Sequence, residues 1–338
     1  MRPWRKELAG RFERHSITSK ALAGNPLGDP AERPLWVYLP PRYLSDPEVR
    51  LPVVFVLQGL FGQVDMWWNR PAMRRSFPEL LDHHFRSSEA ASCLVVFVDA
   101  WTRLGGSQFL NSPAVGRYMD YLCDEIVAFV DSRYRTLVGP GHRGLAGHSS
   151  GGYGAMVLAM LRPDVFGGFA SHAGDIGFEY CYMVDLAQAA RVLRDRYGGS
   201  YEQFFSDLAS REYFGDQDAT LLNAYCMAAC YSPLSDGSVE LPFDPETSRF
   251  RPEVWQRWKE WDPLQIAERR AESLAGLRAA WIDSGNRDQY FMDLGAYQLH
   301  LLLERLGVEH YFELYDGNHS RAEHRYPAAI SYLAERLS

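Results

Sequence analysis

The stretch Gly147-His148-Ser149-Ser150-Gly151-Gly152 follows a short apolar run at 144–147 and opens an apolar, small-residue segment at 151–161. Strand, tight turn and helix in that order turn a G-x-S-x-G pattern into a corner from which a serine hydroxyl projects. The glycines leave room for neighbouring backbone, and the following helix aims its N-terminus at the serine. A hydroxyl is a weak nucleophile until a base takes its proton, and the base needs a third group to hold it. The predicted chemistry is attack by Ser149 on a carbonyl carbon.

Behind a serine elbow of this type the acid and then the histidine follow along the chain. The run 279–282 leads into Asp283-Ser284-Gly285-Asn286-Arg287-Asp288, and the run 311–315 into Asp316-Gly317-Asn318-His319-Ser320. Both loops leave the C-terminal ends of predicted strands, where such sheets place ligands. His319 is therefore the expected general base. Its orienting acid is Asp283, directly at the strand end, or Asp288, beyond the Gly285 turn. An oxyanion needs two backbone N–H donors. Ser150, after the nucleophile, supplies one. Leu60 supplies the other, from Gln58-Gly59-Leu60-Phe61-Gly62 after the run 53–57. Trp101 and His172, at the ends of two further strands, are candidate substrate contacts. His15, His300, His310 and His324 fall on expected helix or strand surfaces.

These groups must be positioned by a sheet. Apolar, β-branched runs at 35–39, 53–57, 94–98, 144–147, 168–171, 279–282 and 311–315 alternate with helical segments at 118–134, 151–161, 293–306 and 322–337. That alternation predicts a mostly parallel α/β sheet flanked by helices. Residues 177–271 break it with helical pieces, a proline-containing stretch and Trp255, Trp258 and Trp261. A structureless loop of that length is improbable, so the segment is expected to be a helical cap whose tryptophans shape substrate choice. Residues 1–176 then form the first part of the core, with a polar extension over 1–30, and residues 272–338 the second.

The chain has 338 residues, with 35 Lys and Arg against 43 Asp and Glu for a net charge of −8. That balance lacks the basic footprint of a nucleic-acid binder and the polybasic patch that an anionic membrane attracts. At 46% hydrophobic and 23% charged the composition is that of a globular protein. The five cysteines are odd in number and scattered, which predicts buried thiols and not a disulfide framework. Cys226 and Cys230 stand one helical turn apart without a second ligand pair nearby. No metal motif, dinucleotide fingerprint or phosphate loop occurs, so no metal and no cofactor are expected. The basic N-terminus has no apolar leader region, and no apolar run reaches spanning length. The expectation is a cytoplasmic protein without membrane or nucleic-acid partners; its oligomeric state is not legible.

Taken together, the chain resembles the esterase D- and enterochelin esterase-like family of the α/β-hydrolase superfamily. The resemblance runs from about Ser16 onward, apart from the cap. It is carried by Val37-Tyr38-Leu39-Pro40-Pro41-Arg42-Tyr43 leading to 52–62, by Gly106-Ser107-Gln108-Phe109 through Tyr118 to Asp131-Ser132-Arg133-Tyr134-Arg135, by the elbow, and by Gly317-Asn318-His319-Ser320. The likeness implies an α/β-hydrolase fold and the catalytic set Ser149, Asp288 and His319, with Leu60 and Ser150 as oxyanion donors. It implies a serine carboxylesterase acting on a small-molecule ester. Gln58 stands where the family usually has His, and Arg321 where an aromatic often follows the catalytic His. An acyltransferase using an alcohol acceptor, or a ligand-binding protein on a hydrolase scaffold, are the alternative readings.

Overall fold

The computed structural model describes residues 7–70, 73–86, 91–215 and 217–338. Eight strands form one sheet: β1 (Arg11–Thr18), β2 (Glu32–Leu39), β3 (Val53–Leu57), β4 (Leu94–Val98), β5 (Arg143–His148), β6 (Gly168–His172), β7 (Ala279–Gly285) and β8 (Tyr311–Tyr315). Their spatial order is β1-β2-β4-β3-β5-β6-β7-β8. From β4 to β8 neighbours pair in parallel, while β2 is antiparallel to both β1 and β4. The sequence's apolar runs correspond to seven of these strands.

The continuous apolar runs in β3 and β4 have a simple cause. A parallel sheet covered by helices on both faces must be apolar on both. Val53, Phe55 and Leu57 enter one hydrophobic cluster and Val54 and Val56 the other. On the first face lies α3 (Ser150–Leu161), buried around almost its whole circumference. On the second face pack α1 (Phe77–Phe85), through Phe77, Leu81 and Phe85, and α10 (Tyr326–Arg336), through Tyr326, Ile330 and Leu333. The helix expected over 118–134 runs from Tyr118 to Arg133, ending in α2 (Val127–Arg133), with a π-helical stretch at Tyr121–Ile126.

Two expectations need correction. The segment 1–30 is not merely an extension, because Arg11–Thr18 forms the true edge strand outside β2. Its sequence RFERHSIT is half-exposed and charged, the composition that edges favour and that hides a strand from a search for apolar runs. The strand β7 also extends past Ile282 to Gly285, which places Asp283 inside the sheet.

Between β6 and β7 the chain is helical: α4 (Met183–Tyr197), α5 (Tyr201–Ser210), α6 (Asp218–Tyr231), α7 (Pro252–Lys259) and α8 (Pro263–Arg269). These helices carry their own signals. Ser200 caps α5 by accepting from Gln203 N–H at 3.2 Å, and Gly198 ends α4 at φ +56°. Asp262 does more than cap α8. Its carboxylate accepts from Leu264 N–H at 3.0 Å and also from Gly177 N–H at 3.1 Å and Phe178 N–H at 2.6 Å. The start of the insertion is thereby tied to its last long helix. One hydrophobic cluster runs from the sheet through Tyr153 of α3 into Phe178, Tyr231 and Trp258 of the insertion.

Among the described residues no helix is long and apolar enough to cross a membrane. Beyond the insertion, α9 (Met292–Arg305) follows β7 and leads to β8.

Candidate active site

Ser149 sits between the end of β5 and the start of α3 at φ 57°, ψ −127°. A non-glycine residue with positive φ is strained, by order of 1–3 kcal/mol, and persists only where the surroundings enforce it. Here they do. Ser149 N–H donates to His172 O at 3.0 Å, and Ser149 O accepts from Tyr153 N–H at 2.9 Å. A Cβ on Gly147 would lie 2.2 Å from Gly151 backbone, and one on Gly151 would lie 2.3 Å from Leu57 O. Only glycine fits at either position, which is the physical content of the motif.

The loop after β3 lies against this corner. A Cβ on Gly59 would stand 3.5 Å from Ser149 Cβ and 3.2 Å from His148 O. Phe61 N–H donates to Gly105 O at 2.9 Å and Gly62 N–H to Gly59 O at 3.1 Å. Leu60 N–H has no acceptor among the described residues. Ser150 N–H, in the first turn of α3, has none within its own helix. Two free amides thus flank the serine.

His319 lies in the loop after β8. Its Nδ1 is 2.8 Å from Asp288 Oδ2, and Asp288 Oδ1 accepts from Tyr290 N–H at 2.8 Å. Asp288 is buried. Its loop is tied to that of His319 by Asn286 N–H to Tyr315 O and Arg287 N–H to Gly317 O, both 2.9 Å. The structure thus brings Asp288, and not Asp283, to His319.

Asp283 belongs to a different set. The Cα register aligns His148, His172, Asp283 and Glu313 across β5 to β8. Asp283 accepts from His172 Nδ1 at 2.7 Å, Trp281 Nε1 at 2.9 Å and Arg325 Nε at 3.0 Å. Burial raises its pKa, but His172, Trp281 and Arg325 outweigh that and hold it below the ordinary carboxylate value. Two tentative substrate contacts are corrected by this geometry. His172 is fully buried on Asp283, and neither it nor Trp101 is among the residues lining the cleft. Strand alternation turned His172 inward, which its position at a strand end did not reveal.

The cleft has a volume of about 560 Å³ and brings together Gly59, Leu60, Ser149, Ser150 and His319. Its far wall comes from the insertion, through Tyr182, Asp185, Gln188 and Asn223. The three tryptophans do not line it. Trp258 is fully buried, donates from Nε1 to Ser232 Oγ at 2.8 Å and packs on Tyr231 and Trp255. The expectation that this cluster shapes substrate choice is replaced by a core role.

Two further residues that the sequence did not single out stand beside Ser149 and His319. His148 Nε2–H donates to His319 O at 2.7 Å. Burial, reinforced by His319, lowers the His148 pKa to about 3, although the residue is only partly buried and lines the cleft. Asp175, three residues past β6, is buried yet lines the cleft. Its position at a C-terminal strand end was the available signal. All five cysteines are free and buried, and no group of three or more potential ligands for a metal occurs among the described residues.

A parallel sheet with a strained serine elbow and a carboxylate-held histidine at its C-terminal edge defines an α/β-hydrolase. Residues 30–329 match the family described as "Putative esterase". The chain belongs to this family. Among solved structures, it is similar to a ferulic acid esterase (16% identity, TM-score 0.61, 98% of this chain and 100% of that one). It is also similar to the fluorophosphonate-binding serine hydrolase F of Staphylococcus aureus (15%, 0.58, 97% and 99%). A third likeness is to an S-formylglutathione hydrolase from Agrobacterium tumefaciens (18%, 0.55, 99% and 98%). At these identities the likeness is one of fold. An uncharacterized protein of Corynebacterium glutamicum is 23% identical over 142 residues, 42% of this chain and 32% of its own, so the match spans about a third of that relative.

Proposed function

We propose that the chain is a serine carboxylesterase that hydrolyses a small-molecule carboxylic ester through an acyl-enzyme on Ser149. One observation carries this: the strained Ser149 shares a cleft with a histidine whose Nδ1 is held by a buried carboxylate. Ser149 Oγ attacks the ester carbonyl while His319 Nε2 takes its proton. Asp288 keeps the other ring proton on Nδ1 and stabilises the imidazolium. The carbonyl oxygen becomes an oxyanion between the amides of Leu60 and Ser150. Collapse breaks the bond to the alcohol oxygen, which leaves with the proton from His319. Water then gives a proton to His319 and attacks the acyl-enzyme. Ser149 recovers its proton and the carboxylic acid departs. Residues 177–271 act as a cap over the core formed by 1–176 and 272–338, supplying the far wall of the cleft. Five free, buried thiols suit a reducing cytoplasm. Hydrolysis of p-nitrophenyl acetate, with covalent fluorophosphonate labelling that maps to Ser149, is the test; a protein inert in both is not this enzyme.

A further inference from the structure

Buried carboxylates in this protein are generally compensated. Asp99 meets Arg33, Asp218 meets Arg211, Asp283 meets Arg325, and Asp262 accepts from three backbone amides. Asp175 is different. It is 3% exposed, and no cationic side chain among the described residues bonds to it. Its Oδ2 takes three neutral donors: Tyr182 OH at 2.7 Å, Gln108 Nε2 at 3.0 Å and Ser150 Oγ at 3.3 Å. No donor of the described residues reaches Oδ1, although the residue lines the cleft beside Ser149.

The groups around it are held at a cost. Gln108 and Phe109 both have positive φ, at 49° and 57°. Gln108 spends its second N–H on Tyr231 OH at 2.7 Å, and its buried Oε1 has no partner among the described residues. Burial pushes the Asp175 carboxyl above the ordinary range, and Tyr182, Gln108, the nearby His319 ring and Ser150 offset this only in part. A buried carboxylate with no cation bonded to it is destabilising. One with a saturated oxygen and a free oxygen facing a reaction cleft is arranged to receive a donor from a ligand.

We propose that the cleft selects esters carrying a hydrogen-bond donor, a hydroxyl or ammonium group, a few bonds from the ester carbonyl, with Asp175 Oδ1 as its acceptor. The placement follows from the contact between Asp175 and Ser150, the residue next to the nucleophile. Tyr182, Gln108 and Ser150 fix the carboxylate, so that its free oxygen is preorganised. A substrate without the donor leaves that oxygen desolvated and unpaired, which discriminates more strongly than a lost apolar contact. This inference rests on the esterase reading and specifies its substrate.

The test compares kcat/KM of the wild-type protein on ethyl butanoate, ethyl 3-hydroxybutanoate, ethyl 3-aminobutanoate and ethyl 3-methoxybutanoate. It adds 2-hydroxyethyl butanoate, which puts the donor on the alcohol side. At least one donor-bearing ester should exceed ethyl butanoate by about tenfold to a hundredfold, as expected for a hydrogen bond to a charged group. The methoxy ester, which keeps the bulk and loses the donor, should gain nothing. Asp175→Asn should bring the ratio close to one. Equal rates across the series, or a methoxy ester as good as the hydroxy ester, overturn the proposal, and so does an undiminished preference in folded Asp175→Asn. The wild-type series decides even where the variant does not fold. If p-nitrophenyl acetate is turned over and the series is flat, only the Asp175 proposal fails. If no ester is turned over, the esterase reading fails with it.

Discussion

His148 and His319 lie with ring centroids 4.5 Å apart, and the Nε2–H of His148 donates to the main-chain oxygen of His319 at 2.7 Å. The residue before the nucleophile therefore holds the loop that carries the proposed base. His148→Ala should lower kcat about tenfold with little change in KM, by letting that loop drift, whereas His148→Gln, which retains a donor, should recover most of it. Equal loss in both variants removes the positioning role.

The same ring sets an acid dependence. It binds its proton near 6.5 when unfolded and at about 3 when folded, facing His319, His172 and Asp283. Protons therefore favour the unfolded chain across that window, and stability falls as pH drops from about 6.5 towards 3. His148→Gln should show a shallower loss over the same range in urea unfolding followed at several pH values. An unchanged slope would show that the ring is not buried in this way.

Ser149→Ala should abolish ester hydrolysis, by roughly 10⁴ to 10⁶ in kcat, with the circular dichroism spectrum unchanged. Fluorophosphonate labelling should vanish with it. Labelling that survives moves the nucleophile to another residue, Ser150 first.

Asp288 and Asp283 should separate by phenotype. Asp288→Asn should fold and lose about 10⁴ in kcat, since an amide stabilises the wrong imidazole tautomer. Asp283→Asn should instead destabilise by about 3–5 kcal/mol, because it strips a buried charge from Arg325 and His172. Asp283 has its pKa lowered in the folded protein, so its stabilising contribution is present above about 3.9 and is lost as pH falls through the folded value. Normal activity in Asp288→Asn together with a dead but stable Asp283→Asn reverses the two roles.

Trp258→Ala should cost about 3–5 kcal/mol of stability, read as a lower denaturation midpoint, since the side chain is fully buried among Tyr231, Tyr182 and Trp255. The folded fraction should keep the wild-type ranking of ester substrates. A changed ranking in a stable variant returns the cluster to substrate selection.

The sequence by itself determined the elbow and the apolar strands of the sheet, though not its charged edge strand β1. β3 and β4 are legible to the residue because a strand buried on both faces must be apolar throughout. The elbow is legible because contacts near 2 Å between backbones leave glycine as the sole solution on either side of Ser149. Tertiary structure decided what depends on direction. Asp283 and Asp288 are five residues apart, and only the extension of β7 to Gly285 turns one into the sheet and the other towards His319. His172 and Asp175 are three apart at the end of β6, yet one is sealed against Asp283 and the other opens on the cleft. The tryptophans of the insertion face its own core, a choice that composition does not contain. A side chain's type is written in the sequence, but which way it points is set by the packing of segments far apart in the chain.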